Sequence, residues 1–257
     1  MANKYHSKKC FGQHFLNDQK IIQTLLQYIN PKQNQQFIEI GPGRGAITFP
    51  LLKQIKSMQV IEIDRDLIKY LQQQGGDKLL IHNKDALKFD FNQLVNTTQQ
   101  LRIVGNLPYN ISTALIFHLM KYTRHIKDMH FMLQKEVVDR ITAKPNSKIY
   151  GRLSVMVQYY CATEYLFSVA PRSFRPPPKV NSAVLRLQPW QQKPHQAKHI
   201  KLFSQVVTQA FSMRRKTLRN TLKKLLTTAQ IEAAGINPRL RPENLTVEDY
   251  VKLSNLL

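Results

Sequence analysis

Apolar positions recur with two different periods along this chain. From Gln19 to Ile29 they return at helical spacing. Short apolar runs then follow at Phe37–Ile40, Val60–Ile63, Leu79–His82, Leu101–Gly105 and His130–Leu133, with helix-like stretches between them. Strands separated in this way cannot be joined by tight hairpins, so the pattern predicts βαβ units and a largely parallel sheet. Leu153–Tyr160 predicts a further helix and Val180–Leu187 a late strand. Between them Pro171, Pro176, Pro177 and Pro178 fix φ and remove backbone donors, which predicts an extended loop. A polar, proline-bearing stretch from Gln188 to His199 reads as a linker. After it, Leu202, Phe203, Val206, Val207, Ala210, Phe211, Leu218, Leu222 and Leu225 predict one long helix over 199–226. Two shorter helical patterns reach Leu257, with Gly235 and Pro238 as breakers. The expected organisation is an α/β domain over 1–190 and a small all-helical domain over 191–257, without internal repeats.

Charge adds a partner to this outline. The 257 residues carry 38 Lys and Arg against 16 Asp and Glu, a net charge of +22. A polyanion is implied, with nucleic acid the first candidate. A membrane is the second, but no apolar run approaches the roughly 20 residues of a spanning helix. The excess is concentrated: Tyr165 to Ile231 contains thirteen Lys or Arg and no acid. Within it Arg215, Arg219 and Lys223 repeat every fourth residue, joined by Lys216, on a side of the predicted helix away from its apolar positions. This face is expected to meet RNA phosphate. Cys10 and Cys161 are the only cysteines and have no metal-ligand spacing, and the N-terminus lacks an apolar signal core. A reduced cytoplasmic protein with no bound metal is expected.

The candidate chemistry lies where apolar runs end. After Leu101–Gly105 come Asn106, Leu107, Pro108 and Tyr109. Pro108 holds Leu107 extended, so the Leu107 carbonyl and the Asn106 side-chain oxygen converge beside an aromatic ring. That set suits a flat heterocycle with an exocyclic NH2, which donates two hydrogen bonds while its ring stacks; adenine and cytosine both fit. After Phe37–Ile40 comes Gly41-Pro42-Gly43-Arg44-Gly45-Ala46, a strand, glycine turn and helix that can admit a nucleotide. Glu62 ends the next run and could accept from ribose hydroxyls. Asp85 follows the third and could accept from an adenine amino group. NAD satisfies these features too, but Glu39 beside the loop suits a cationic ligand better than a pyrophosphate, and S-adenosylmethionine is cationic.

In order along the chain, Phe11-Gly12-Gln13-His14-Phe15-Leu16, Glu39-Ile40-Gly41-Pro42-Gly43, Ile61-Glu62-Ile63-Asp64-Arg65, Asp85-Ala86, Asn106-Leu107-Pro108-Tyr109-Asn110, Leu133-Gln134-Lys135-Glu136, Pro176-Pro177-Pro178-Lys179-Val180 and Arg214-Arg215-Lys216-Thr217 resemble the Ksg-type adenine dimethyltransferases of small-subunit ribosomal RNA. The resemblance implies a Rossmann-like class I methyltransferase domain with a small helical C-terminal domain. It implies an enzyme that dimethylates N6 of two adjacent adenosines near the 3' end of small-subunit RNA in the immature 30S subunit, acting as a monomer. It places S-adenosylmethionine against His14, Leu16, Gly41, Glu62, Asp85 and Asn106. The target base falls to Asn106, Leu107, Pro108 and Tyr109, with Phe174 as a second stacking face. Arg214 joins Arg215, Lys216, Arg219 and Lys223 as RNA contacts. Many relatives have Asn at the position of His14. No general base is assigned. The rivals are a resistance-type large-subunit RNA dimethyltransferase, a non-catalytic ribosome-assembly factor and an NAD-dependent dehydrogenase.

Overall fold

A computed structural model describes residues 13–95 and 99–257. Phe11 and Gly12 of the first motif, and Cys10, lie outside the described residues.

The first strand, β1 (Phe15–Leu16), leads into helix α1 (Gln19–Ile29). Asp18 starts that helix by accepting from the Lys20 and Ile21 amides, and Asn30 ends it in the left-handed conformation just before Pro31. Its apolar stripe of Ile22, Leu25 and Ile29 is buried. There follow β2 (Gln36–Ile40), α2 (Thr48–Leu52), β3 (Met58–Glu62), α3 (Arg65–Gly75), β4 (Leu79–Asn83), β5 (Leu101–Asn106), α4 (Ser112–Leu119) and β6 (Ile126–Gln134). Next come α5 (Lys135–Thr142), α6 (Arg152–Tyr160), β7 (Cys161–Val169), β8 (Phe174–Arg175) and β9 (Ser182–Pro189). The chain ends with α7 (Ile200–Phe211), α8 (Leu218–Thr221), α9 (Thr228–Ala233) and α10 (Val247–Ser254).

Seven strands form one sheet in the order β4-β3-β2-β5-β6-β9-β7, and β1 pairs with β8 separately. The pairs β4–β3, β3–β2, β2–β5 and β5–β6 are parallel, and β9 runs antiparallel to β6. After β2 the chain steps outward to β3 and β4, then returns to place β5 on the other side of β2. The carboxyl ends of β2 and β5 therefore flank a topological switch point, where an open α/β sheet leaves a crevice. At the other end of β5, buried Arg102 is held by two bonds to Asp128 (2.8 and 2.7 Å), by Gln35 (2.7 Å) and by the Ile29 carbonyl (2.7 Å). Every strong donor there has a partner, as a buried guanidinium requires. Gly105 admits no side chain, because a Cβ would come within 2.6 Å of the Ile40 carbonyl oxygen.

The chain divides into two compact units. The described part of the first runs through Val138 and then Glu164–Pro189; the second comprises Asp139–Thr163 and Trp190–Leu257. The break at 189/190 lies one residue from the expected boundary. Segment 139–163, expected in the first domain, joins the second because α6 packs on α7 and α10. Within the second unit the single long helix expected over 199–226 is interrupted. Helix α7 stops at Phe211, a turn occupies 212–216, and the Leu218 and Arg219 amides donate to the Leu240 and Pro238 carbonyls (2.9 and 3.1 Å). Tertiary acceptors have replaced the i→i−4 ladder at that point. Among the described residues no helix is long and apolar enough to cross a membrane.

Candidate active site at the sheet switch point

The carboxyl ends of the strands flanking the switch point open into a cavity of about 320 Å³, within the range of small-molecule sites. Gly41, Glu62, Asp85, Asn106, Leu107, Pro108 and Tyr109 all line it, as do His14 and Leu16 from the first motif. Each of the acids and Asn106 follows or ends a strand, which is why a one-dimensional reading located them.

The glycine turn is built from left-handed residues: Gly41, Gly43 and Gly45 have φ of 67°, 56° and 77°, a region side chains disfavour. The Gly41 amide donates to the Ile61 carbonyl (3.0 Å), fixing the turn to the end of β3. Glu62, only 6% exposed, accepts at Oε1 from the Ile63 and Asp64 amides (2.9 Å each) and at Oε2 from the Gly43 amide (3.3 Å). A carboxylate has about four acceptor positions, so Oε2 keeps capacity for a hydroxyl. Burial raises the Glu62 pKa, opposed by those three amide bonds. Asp85 accepts from the Leu87 amide through Oδ1 (2.9 Å), which fixes its carboxylate on the cavity wall. Glu39, 1% exposed, accepts from the Thr48 hydroxyl (2.6 Å), and burial pushes its pKa up to about 8. The charge expected beside the loop is thus disfavoured at neutral pH unless a cation lies nearby.

Asn106 donates its side-chain NH2 to the His14 carbonyl (2.8 Å). A terminal amide that gives its nitrogen to one side presents its oxygen to the other, so Oδ1 is oriented by this bond. The Leu107 amide donates to the Met132 carbonyl (3.1 Å), while no hydrogen bond to the Leu107 carbonyl is formed among the described residues. The Pro108 carbonyl accepts from Ile111 (3.2 Å) in the turn that starts α4. Tyr109 is anchored through its hydroxyl to Ser182 Oγ (2.7 Å), and its ring stacks with the His14 ring at 5.8 Å between centroids. His14 Nδ1 donates to the Pro176 carbonyl (2.8 Å). His14 lines the cavity as expected of that position, and its side chain, to which the sequence assigned no contact, is engaged with Tyr109 and the proline-rich segment. Sequence reasoning missed this role for its ring.

Phe174 corrects an expectation. In the β1–β8 pair it lies opposite Leu16, and opposed residues point to one face. Leu16 faces the core, so the Phe174 ring does too; it is 0% exposed and offers no face to a base. Ile63 was also missed: 47% exposed on the cavity wall, it is an apolar surface that a strand-end position gave no reason to expect outside the core.

The basic residues lie in the second unit. Arg215, Lys216, Arg219 and Lys223 are exposed, on the turn after α7 and around α8 rather than along one helix. Arg214 differs from them, since its Nη2 donates to the Lys148 and Tyr150 carbonyls (2.8 and 2.9 Å). Among the described residues no cluster of His, Cys, Asp or Glu could hold a metal ion.

A mixed seven-stranded sheet with a glycine turn and strand-end acids at its switch point defines a class I methyltransferase, here followed by helices. Solved structures agree: a dimethyladenosine transferase from Plasmodium falciparum superposes with a TM-score of 0.78 over 93% of this chain and 96% of its own, at 25% identity. The 23S rRNA methyltransferase ErmE, at 23% identity and a TM-score of 0.74 over 93% and 98%, shares the fold. The sequence pattern of the family described as ribosomal RNA adenine dimethylase matches residues 4–257, and the chain belongs to that family. Curated relatives include the ribosomal RNA small subunit methyltransferase A of Hydrogenovibrio crunogenus, 55% identical over 98% of this chain and 97% of its own. That of Pseudomonas aeruginosa is 52% identical over 99% and 96%.

Proposed function

We propose that this protein transfers methyl groups from S-adenosylmethionine to N6 of two adjacent adenosines near the 3' end of small-subunit ribosomal RNA, acting as a monomer on the immature 30S subunit in the cytoplasm. The observation that carries the reading is the pairing of an oriented Asn106 Oδ1 with the Leu107 carbonyl, which accepts no hydrogen bond among the described residues, beside the anchored Tyr109 ring. High identity over nearly full length to small subunit methyltransferases A supports it over the large-subunit alternative.

The cavity residues fit the cofactor. Glu62 Oε2 has acceptor capacity for ribose, Asp85 for an adenine amino group, and at Gly41 a Cβ would extend to 4.0 Å from the Asn106 carbonyl oxygen, narrowing the cleft. Glu39 favours a cation near the glycine turn, because a positive charge would offset the burial that keeps its proton on. When bound, the cofactor supplies a methyl group on a sulfonium leaving group. The chain's own task is to make the adenine nitrogen a nucleophile. N6 shares its lone pair with the ring, and hydrogen bonds from its two protons to Asn106 Oδ1 and the Leu107 carbonyl favour the pyramidal nitrogen. Tyr109 stacks on the base and fixes the line of approach. Positioning of this kind supplies up to roughly 7 to 11 kcal/mol. The methylated N6 is cationic and strongly acidic and loses a proton to water, with sulfonium becoming thioether as leaving group; for the second transfer one N6 proton remains, so one of the two oxygens suffices. We assign the phosphate contacts to exposed Arg215, Lys216, Arg219 and Lys223.

The test is methylation of separated small and large subunits from a strain lacking the gene. Purified protein with labelled S-adenosylmethionine should produce dimethyladenosine at adjacent positions, read as paired primer-extension stops near the 3' end. Stops only in large-subunit RNA would establish the rival reading.

A further inference from the structure

We infer that the loop 146–150 is an RNA-docking element of the second unit, with Lys148 and Ile149 as contacts and Arg214 as the positioning residue that holds them out. The inference rests on the proposed RNA substrate and adds a surface that the basic repeat did not include.

The loop is built rather than loose. Asn146 takes the left-handed conformation (φ 71°), donates its amide to the Glu243 carbonyl (2.7 Å) and accepts at Oδ1 from Asn244 (2.9 Å). The Tyr150 amide donates to the Ser147 carbonyl (3.1 Å), and the Tyr150 side chain is fully buried. Arg214 closes the other side by donating to the carbonyls of Lys148 and Tyr150, the two residues that flank Ile149. With the backbone pinned on both sides of it, Ile149 is nonetheless 46% exposed, and Met213, next to the latching arginine, is 44% exposed.

The charges point to the partner. Lys148, Arg215 and Lys216 are all exposed around these two apolar side chains. The acids on the adjoining segments have partners or are buried: Asp249 accepts from the Thr246 amide and hydroxyl at the start of α10, Glu248 pairs with Lys252 (2.9 Å), and Glu243 Oε2 is buried. Apolar tips within a basic rim suit the wide, shallow minor groove of an RNA helix, where a phosphate meets lysine and a sugar edge meets isoleucine. Ordering the loop before contact also lowers the entropic cost of binding.

Binding to unmethylated small subunits tests this with the full-length protein. Lys148→Ala removes one phosphate contact; a slope of about 0.7 to 0.9 per contact makes it about five- to eightfold weaker at 0.1 M salt, with a correspondingly shallower salt dependence. Ile149→Ser should weaken binding with the salt slope unchanged. Both should keep the wild-type melting temperature and S-adenosylmethionine affinity. Arg214→Ala should raise amide hydrogen exchange at 147–150, and adding it to Lys148→Ala should cost less than the product of the single effects. Wild-type affinity in both Lys148→Ala and Ile149→Ser, while the parent binds subunits, overturns the inference and leaves the proposed function standing. Lost affinity in Arg214→Ala with unchanged exchange overturns the latch and makes Arg214 itself the contact. A parent that does not bind small subunits defeats the functional reading, and this inference falls with it.

Discussion

Replacing Asn106 by alanine tests the chemistry at the switch point directly. The side chain has two separable functions: its NH2 donates to the His14 carbonyl at 2.8 Å, and its oxygen, oriented by that bond, is proposed to accept from adenine N6. Loss of a group that stabilises charge redistribution in a transition state costs about 10²–10³ in turnover, or 2.7–4 kcal/mol. Loss of the bond to His14 is a neutral, part-buried hydrogen bond, worth about 0.5–1.5 kcal/mol of stability, hence a drop of about 1–6 °C in melting temperature for a chain of this size. Asn106→Ala should therefore fold, bind small subunits within about twofold of the parent, and lose at least about 100-fold in single-turnover methylation. Asn106→Asp sharpens the test. It keeps an acceptor but sets carboxylate oxygen against the His14 carbonyl, so the orientation is lost and turnover should remain as low as in the alanine variant. Turnover within tenfold of the parent in Asn106→Ala, or full activity in Asn106→Asp, would refute the assignment.

Glu62→Ala should weaken S-adenosylmethionine binding about 10- to 100-fold by calorimetry, since a charge-assisted hydrogen bond contributes about 1.5–3 kcal/mol; an unchanged dissociation constant would move the ribose elsewhere. Burial raises the Glu39 pKa to about 8, so the folded state holds a proton that the unfolded chain releases. Its contribution to stability is present at acid pH and falls as pH rises from the ordinary carboxylate range to about 8. Glu39→Gln, which keeps an acceptor for Thr48, should flatten that part of the urea-midpoint profile between pH 5 and 9; parallel profiles would show that Glu39 is ionised throughout. Gly105→Ala should destabilise by about 1–3 kcal/mol through overpacking against the Ile40 carbonyl, and a melting temperature equal to the parent's would contradict the close approach of β2 and β5.

The sequence pattern was most legible where burial is continuous. The inner strands β2, β3, β5 and β6 each hold a mainly apolar, buried stretch, and α1 has its boundaries marked by Asp18 and Asn30. Strand β7 was not anticipated: at the sheet edge it is half exposed along much of its length and has neither strict alternation nor a solid apolar run. The break after α7 depends on carbonyls some twenty residues further on, which periodicity does not register. The candidate site was readable because Gly41, Glu62, Asp85 and Asn106 each stand at or just after a strand end. The burial of Phe174 and the ring contacts of His14 escape a sequence reading for a common reason. Their roles are decided by pairing across more than 150 residues, Leu16 with Phe174 and His14 with Pro176.

The discontinuous second unit bears on how such a protein can be taken apart. Residues 190–257 look like an appendix that could be cut off, grafted or exchanged, yet α6 and its flanking segment are threaded in from the middle of the methyltransferase portion. A fragment beginning at 190 would lack the helix that packs on α7 and α10, leaving apolar surface open to aggregation. A fragment ending at 189 would carry α6 without those partners. Gene truncation at this apparent seam therefore damages both pieces, and recombination can replace the second unit intact only by exchanging two separate stretches of the gene together.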